Sequence, residues 1–110
     1  MADLAITNAR LVDGSGAPAR MADITIDDGR ITDVTEPGRA GRASRTVDAA
    51  GRLVTPGFVD VHTHYDAQVS WDPWLTPSSW HGVTTAVMGN CGVGFAPAHP
   101  DRHQWLIELM

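Results

Sequence analysis

Two histidines separated by one residue, His62 and His64, directly follow an apolar run at residues 58–61. In an extended chain, residues i and i+2 point to the same side, so both imidazoles could converge on one ion. Two solvated loop histidines are the simpler explanation of such a pair. The compact apolar run before it suits a buried strand, and catalytic groups in α/β barrels lie where parallel strands end. We therefore predict a metal site.

A single cysteine, Cys91, offers a third ligand. It lies just past a second apolar and β-branched run, residues 83–88, and is flanked by Gly89 and Gly92. If the two runs form neighbouring parallel strands, their ends lie about 5 Å apart, and a thiolate and two imidazoles face one volume. Sulfur and nitrogen ligands together select zinc over magnesium or calcium. The alternative is that Cys91 is a small buried hydrophobic side chain.

Two carboxylates near the histidines are weaker candidates. Asp60 precedes His62 by two residues, and we interpret it either as a hydrogen-bond partner that orients an imidazole or as part of a structural hydrogen bond. Asp66 follows His64 by two residues and is either a contact to substrate or metal or a solvated loop carboxylate. The other histidines are expected at the surface, and the tryptophans in the crossover between the strands: His81, His99 and His103, and Trp71, Trp74, Trp80 and Trp105.

The first half of the chain is predicted to consist of short strands and tight turns. Alternation with period two indicates strands at residues 22–27 and 30–35, joined by Asp28-Gly29, which tolerates the positive φ angles of a type I′ turn. An exposed loop is expected at residues 36–44. Further short strands are predicted within residues 4–13, 46–50 and 52–55. We expect about five antiparallel strands that form one face of a sandwich.

The second half has a different character. Buried strands are predicted at residues 58–61 and 83–88, with a helical turn at 77–81 between them. A helix is predicted over 102–110, with Asp101 as its N-cap. Strand, helical turn, strand and helix are the opening of a repeated β/α pattern, so the fold class is α/β.

The composition excludes several classes of function. A net charge of −5 without a run of like charges does not suit binding to nucleic acid. No apolar run approaches about 18 residues, and the first residues lack the pattern of a secretory signal, so neither a membrane span nor secretion is expected. With one cysteine no intrachain disulfide can form, which favours the cytoplasm. The absence of lysine excludes Schiff-base chemistry and a P-loop lysine.

Five stretches carry a resemblance to a known family. The sequence PGFVDVHTHYD at residues 56–66 resembles the first barrel strand of the amidohydrolase superfamily of metal-dependent hydrolases. The stretches WHGVTT at 80–85 and MGNCG at 88–92 resemble the subgroup of N-acyl-D-amino-acid deacylases, or D-aminoacylases. The stretches at 9–14 and 27–31 are similar to the strands of their N-terminal β-sandwich.

The resemblance implies a fold in two parts. Residues 1–55 would supply strands of a small β-sandwich, and residues 56–110 the first β/α units of an incomplete TIM-type (β/α)8 barrel. His62 and His64 would be zinc ligands from the first barrel strand. Cys91 would be the ligand that this subgroup uses where many relatives have a carboxylated lysine, and the absence of lysine agrees with that substitution.

The resemblance also implies an activity. The family member would hold one or two Zn²⁺ ions and hydrolyse a non-peptide C–N bond, converting a small-molecule N-acyl-D-amino acid to a D-amino acid and a carboxylate. Two further histidines and the general-base aspartate come from later barrel strands in the family. This chain would therefore contain no catalytic residue of its own, and we expect the isolated 110 residues to be inactive.

Two alternatives remain. A cyclic amidase of the dihydropyrimidinase or dihydroorotase kind would need a carboxylated lysine, so Cys91 argues against it. A non-catalytic β-rich module that binds metal or a partner would be favoured by a soluble, monomeric and cooperatively folded chain. The open strand edge of an unclosed barrel predicts the opposite behaviour.

Overall fold

The computed structural model describes residues 1–91 and 98–109. It divides into two compact units, Met1–Pro56 and Gly57–Met110. Two features of the sequence analysis lie outside the described residues: Gly92, which flanks Cys91, and residue 110, the end of the predicted helix. Among the described residues, no helix has the length and apolar character needed to cross a bilayer.

The first unit is one five-stranded sheet. Its strands are β1 (Ala2–Leu11), β2 (Arg20–Asp27), β3 (Arg30–Thr35), β4 (Ala43–Asp48) and β5 (Leu53–Val54). The sheet order is β3-β2-β1-β4, and β5 also pairs with β1. The turn between β2 and β3 has positive φ at both central residues, 49° at Asp28 and 68° at Gly29, as the dipeptide predicted.

The expectation that all these strands are antiparallel is wrong. Strands β4 and β5 run parallel to β1, whereas β2 is antiparallel to both β1 and β3. The loop after β3 explains this direction, because Gly38 and Ala40 in the loop donate backbone hydrogen bonds to Asp23 of β2. The chain thus crosses the sheet and returns to the end where β1 begins. Strand β4 starts there, with Ala43 opposite Ala2.

Small apolar side chains form the core of this unit, with one carboxylate among them. Its buried apolar residues are Ala9, Leu11, Ala22, Ile24 and Ala49. Asp23 is 1 % exposed and also accepts a 2.9 Å hydrogen bond from the backbone N–H of Asn8, at an irregularity in β1. The carboxylate therefore holds both this irregularity and the loop after β3.

The second unit contains two parallel strands, β6 (Phe58–Asp60) and β7 (Val83–Ala86). Between them lie 3₁₀ segments at Gln68–Ser70 and Ser78–His81, the second at the predicted helical turn. A 3₁₀ segment, Pro100–Arg102, then leads into the helix α1 (His103–Leu109). The order of strand, turn, strand and helix is the predicted one. A barrel or a second sandwich sheet is not seen among the described residues, and both stay predictions.

Three expectations about this unit are wrong. The two strands are not buried: Phe58, Val59 and Val61 are 58, 61 and 58 % exposed, because nothing in the described part of the chain covers these side chains. The tryptophans are likewise 57–76 % exposed rather than packed in the crossover. Asp101 is not an N-cap, because the helical segment begins before it and its carboxylate contacts the His99 ring. His81, His99 and His103 are exposed, as predicted.

Candidate metal centre

Three side chains with metal-binding atoms converge at one edge of the β6–β7 pair. The ligand atoms of His62, His64 and Cys91 all lie within 4.8 Å of one another. The histidines follow β6 and the cysteine follows β7, and the parallel pairing of these strands brings both carboxyl ends to the same edge. Both histidines are exposed, and Cys91 is partly buried. The arrangement matches the geometry predicted for the three residues, whereas the metal itself stays a prediction.

The donor set and spacing fit a zinc ion. Zinc–nitrogen bonds of about 2.0–2.1 Å and zinc–sulfur bonds of about 2.3 Å place tetrahedral ligand atoms roughly 3.3–3.6 Å apart. The 4.8 Å limit found here leaves only a small contraction to reach that spacing. The two imidazole rings are stacked nearly parallel, with planes that differ by 15° and centroids 6.0 Å apart.

The residue between the histidines points the other way. Strand-like alternation turns Thr63 away from the ligand side, and it is only 4 % exposed. Its hydroxyl donates a 2.8 Å hydrogen bond to the carbonyl oxygen of Val87, one residue beyond β7. The backbone N–H of Val87 donates in turn to the carbonyl oxygen of Asp60, at 2.8 Å. Both polar backbone groups of Val87 are thus bound to the β6 segment.

A second side chain joins the two segments nearer to the sulfur. The Asn90 side-chain amide donates a 2.8 Å hydrogen bond to the carbonyl oxygen of Val61. Asn90 precedes Cys91, and Val61 precedes His62. The bond therefore connects the residues immediately before two of the three candidate ligands.

The two predicted carboxylates do not belong to this group of three. Asp60 accepts a 3.0 Å hydrogen bond from the backbone N–H of His62, and this is the structural hydrogen bond that the sequence analysis gave as one of two interpretations. Among the described residues, no hydrogen bond joins Asp60 to the imidazole of His62 or His64. Asp66 is partly buried, and its Oδ1 lies 3.9 Å from the place that a Cβ on Gly89 would occupy. Its Oδ2 is buried without a hydrogen-bond partner within the described part of the chain. A contact of Asp66 with substrate or metal stays a prediction.

A hydrogen-bonded loop forms one wall of an open cavity of about 240 Å³ beside the histidines. The buried Tyr65 hydroxyl lies 2.6 Å from the Ser78 hydroxyl and 2.9 Å from the Leu75 carbonyl oxygen. Hydrogen bonds from the Thr76 side chain, the Gln68 side chain and the loop backbone lower the pKa of Asp72 from 3.8 to about 2. These hydrogen bonds tie the loop to the ionised Asp72 carboxylate.

Sequence reasoning missed the residues that hold this arrangement in place. Thr63 and Asn90 lie beside the predicted ligands, but neither residue type indicates metal chemistry. Asn90 carried one usable signal, because it stands between Gly89 and Cys91 just past a predicted strand, in a segment where side-chain amides often bond to the backbone. Asp72 gave no comparable signal, since its partners follow from the path of the loop.

Comparison with known proteins adds a family assignment. A model of the amidohydrolase family matches residues 45–108. The chain is 41 % identical over 96 residues to an N-acyl-D-aspartate deacylase of Alcaligenes xylosoxydans xylosoxydans, an alignment that covers 87 % of the chain. It superposes with a TM-score of 0.78 and 46 % identity on an N-acyl-D-glutamate deacylase of Bordetella bronchiseptica solved with zinc and a phosphonate inhibitor, covering 88 % of the chain.

A D-aminoacylase with a binuclear metal centre is also similar, with a TM-score of 0.81 and 40 % identity over 89 % of the chain. The chain spans about one fifth of the length of these relatives: 19 % of the aspartate deacylase and 20 % of each of the other two.

Proposed function

Because the chain belongs to the amidohydrolase family, we propose that it carries part of the metal centre of a zinc-dependent hydrolase that converts N-acyl-D-amino acids to a D-amino acid and a carboxylate. The observation that carries this proposal is the convergence of His62, His64 and Cys91 within 4.8 Å. The names of the three similar proteins described above, two N-acyl-D-amino-acid deacylases and a D-aminoacylase, support this substrate class.

The three residues would hold zinc through two imidazole nitrogens and one thiolate, the donors that zinc prefers. When bound, zinc supplies Lewis acidity toward the amide carbonyl and toward water. The chain's own contribution is to present the ligands at an exposed strand edge beside an open cavity of about 240 Å³, where a small substrate has access. Asp66, with its unpartnered buried oxygen in the described structure, is proposed to face substrate or metal.

The proposed architecture follows from the position of the candidate ligands at the carboxyl ends of the parallel strands β6 and β7. Residues 56–110 are the first β/α units of a (β/α)8 barrel, in which chemistry lies at the carboxyl ends of parallel strands. Residues 1–55 contribute strands to a small β-sandwich. The resemblance to the family implies that a general base, which takes the proton from water, and further ligands come from later barrel strands. The isolated chain therefore binds zinc but does not turn over substrate. A cytoplasmic location stays a prediction based on the lone cysteine.

Cobalt and zinc titration of the purified chain tests the metal centre. Cobalt bound to a thiolate gives a sulfur-to-metal charge-transfer band, so the wild-type chain should show the band and Cys91→Ser should lack it. His64→Ala should weaken binding, whereas His103→Ala, which removes an exposed histidine in α1, should leave it unchanged. Equal binding by wild type and Cys91→Ser would contradict the assignment of the cysteine.

The substrate class requires a second experiment. In a chimaera, residues 57–109 replace the matching segment of the similar D-aminoacylase. We expect the chimaera to hydrolyse N-acetyl-D-amino acids in a metal-dependent manner and to spare the L-enantiomers. A folded, zinc-loaded chimaera without that activity would refute the proposed reaction, and a chimaera that hydrolyses cyclic amides instead would support the cyclic-amidase alternative.

A further inference from the structure

We propose that Asn90 and Thr63 are positioning residues that fix the separation between the histidine pair and Cys91 before a metal binds. This inference rests on the proposed function, because it concerns the same three ligands. It goes beyond the proposed function, because neither Asn90 nor Thr63 is proposed to be a ligand of the metal. Each acts through a hydrogen bond between the segment after β6 and the segment after β7.

The bond made by Asn90 controls the sulfur most directly. Its ends are the side chain before Cys91 and the carbonyl oxygen before His62, 29 residues away in the sequence. Of the hydrogen bonds between the two segments, this 2.8 Å contact lies nearest to the sulfur, one backbone link away from each of the two ligand residues. The described non-glycine residues with positive φ are Asn8, Asp28, Ala50 and Leu75, so a special backbone conformation does not explain the asparagine at position 90.

Thr63 fixes the imidazoles from the opposite side. Strand pairing with β6 ends at Ala86, and the Thr63 hydroxyl continues the attachment by binding the Val87 carbonyl oxygen. Because Thr63 is buried and lies between His62 and His64, its hydroxyl bond determines which way both rings point. A rotation of this segment would move both imidazoles away from the sulfur together.

The expected size of the effect follows from how outer hydrogen bonds act on metal sites. A ligand set that is held in place before binding loses less conformational freedom when the metal arrives, so its affinity is higher. Removal of partners that orient ligands typically costs about 10–100-fold in metal affinity. We expect a loss of at least about tenfold for each of the two residues.

The experiment measures zinc affinity by chelator competition and the cobalt spectrum, using the whole chain. Thr63→Val keeps the shape and removes the donor, Thr63→Ser restores the donor, and Asn90→Ala removes the second bond. Ser70→Ala is the matched control, because it also removes a side-chain hydroxyl bond, 2.7 Å to the carbonyl oxygen of Ala67, in the same unit, and Ser70 does not line the cavity beside the histidines. We expect weaker binding and an altered charge-transfer band for Thr63→Val and Asn90→Ala, recovery for Thr63→Ser, and wild-type binding for Ser70→Ala.

Each outcome decides between the two proposals. A wild-type chain that binds no zinc refutes the proposed function, and this inference with it. A wild-type chain that binds zinc while Thr63→Val and Asn90→Ala bind equally well refutes this inference alone. An equal loss of affinity in Ser70→Ala would show a general loss of stability and would also refute it. If a variant does not fold, hydrogen exchange of the Asn90 side-chain amide in the metal-free wild type replaces it, and an unprotected amide counts against the inference.

Discussion

Gly57, the residue before β6, lies directly against the side chain of Thr84 in β7. A Cβ built at position 57 would lie 2.1 Å from Thr84 Oγ1 and 2.2 Å from its Cγ2, distances at which atoms cannot coexist. The next residue, Phe58, donates a 2.9 Å backbone hydrogen bond to the carbonyl oxygen of Gly82. The start of β6 therefore packs closely against β7, because Gly57 has no side chain. The three candidate ligands lie at the opposite end of the same strand pair.

Gly57→Ala should destabilise the second unit and weaken zinc binding, because the added methyl group must push β6 away from β7. Forced overpacking typically costs about 1–3 kcal/mol. Urea unfolding followed by tryptophan fluorescence reports on this unit, since all four tryptophans lie in residues 57–110.

Gly41→Ala is the control for this substitution, because a Cβ there would meet no atom within 4 Å. Thr84→Ala on the Gly57→Ala background removes the two closest atoms and should recover part of the loss. Strictly additive effects of the two substitutions would show that the contact with Thr84 is not the cause.

The sequence was sufficient for the features that depend on local pattern. The Asp28-Gly29 turn follows from the φ angles that each residue tolerates, and the runs before His62 and Cys91 predicted strands that pair in parallel. That pairing brings the three ligand residues to one edge, whereas the hydrogen bonds of Thr63 and Asn90 beyond the pairing were not predicted. These features are encoded within a few residues of where they appear.

Features that depend on distant contacts could not be predicted. The parallel direction of β4 depends on a loop that Asp23 holds from another strand, and an aspartate within a strand is no sign of such a contact. The prediction that the strands of the second unit are buried was wrong. An apolar run shows that a strand favours burial, but it does not show that another element covers the strand. The role of Asn90 required knowledge of which carbonyl lies opposite it.

Asp23→Asn should destabilise the first unit. Asn8, Gly38 and Ala40 donate backbone hydrogen bonds to the carboxylate, and an amide would set its own N–H groups against some of these donors. Hydrogen bonds to a charged group contribute about 1.5–3 kcal/mol, so a loss of that size is expected. Because tryptophan and tyrosine are absent from residues 1–56, hydrogen exchange of the Asn8 and Gly38 amides is the suitable measurement.

The same carboxylate should make the first unit sensitive to acid. Burial raises the pKa of Asp23, but the backbone N–H groups lower it by more, so its pKa lies below the ordinary value of 3.8. A carboxyl group with a lowered folded-state pKa stabilises the fold above 3.8, and this contribution is lost as the pH falls through the lower folded-state value. Asp23→Asn should flatten this part of the pH profile, whereas Asp33→Asn, at an exposed position, should retain it.

Asp72→Asn should loosen the loop beside the histidines without altering the first unit. The carboxylate accepts hydrogen bonds from the Thr76 backbone and hydroxyl, at 2.8 and 2.7 Å, and from the Trp74 backbone at 3.0 Å. Faster hydrogen exchange of the Thr76 and Trp74 amides is the expected result. Since the pKa of Asp72 is lowered to about 2, the protection of these amides in the wild type, measured against the exchange of an unfolded peptide at the same pH, should also fall as the pH drops from 3.8 toward that value. Unchanged exchange at both amides would show that the carboxylate does not hold the loop.

Zinc should stabilise the second unit and leave the first unaffected, because the three proposed ligands all lie within residues 57–110. A ligand that binds only the folded state at 100 times its Kd adds about 2.7 kcal/mol to the free energy of unfolding. Urea unfolding followed by tryptophan fluorescence should therefore shift to higher denaturant with zinc and return when a chelator removes it. Amide exchange at Gly38 in the first unit should not respond, and Cys91→Ser should lose most of the shift. The same zinc-dependent shift in Cys91→Ser would mean that the stabilising ion binds elsewhere and that the sulfur is not a ligand.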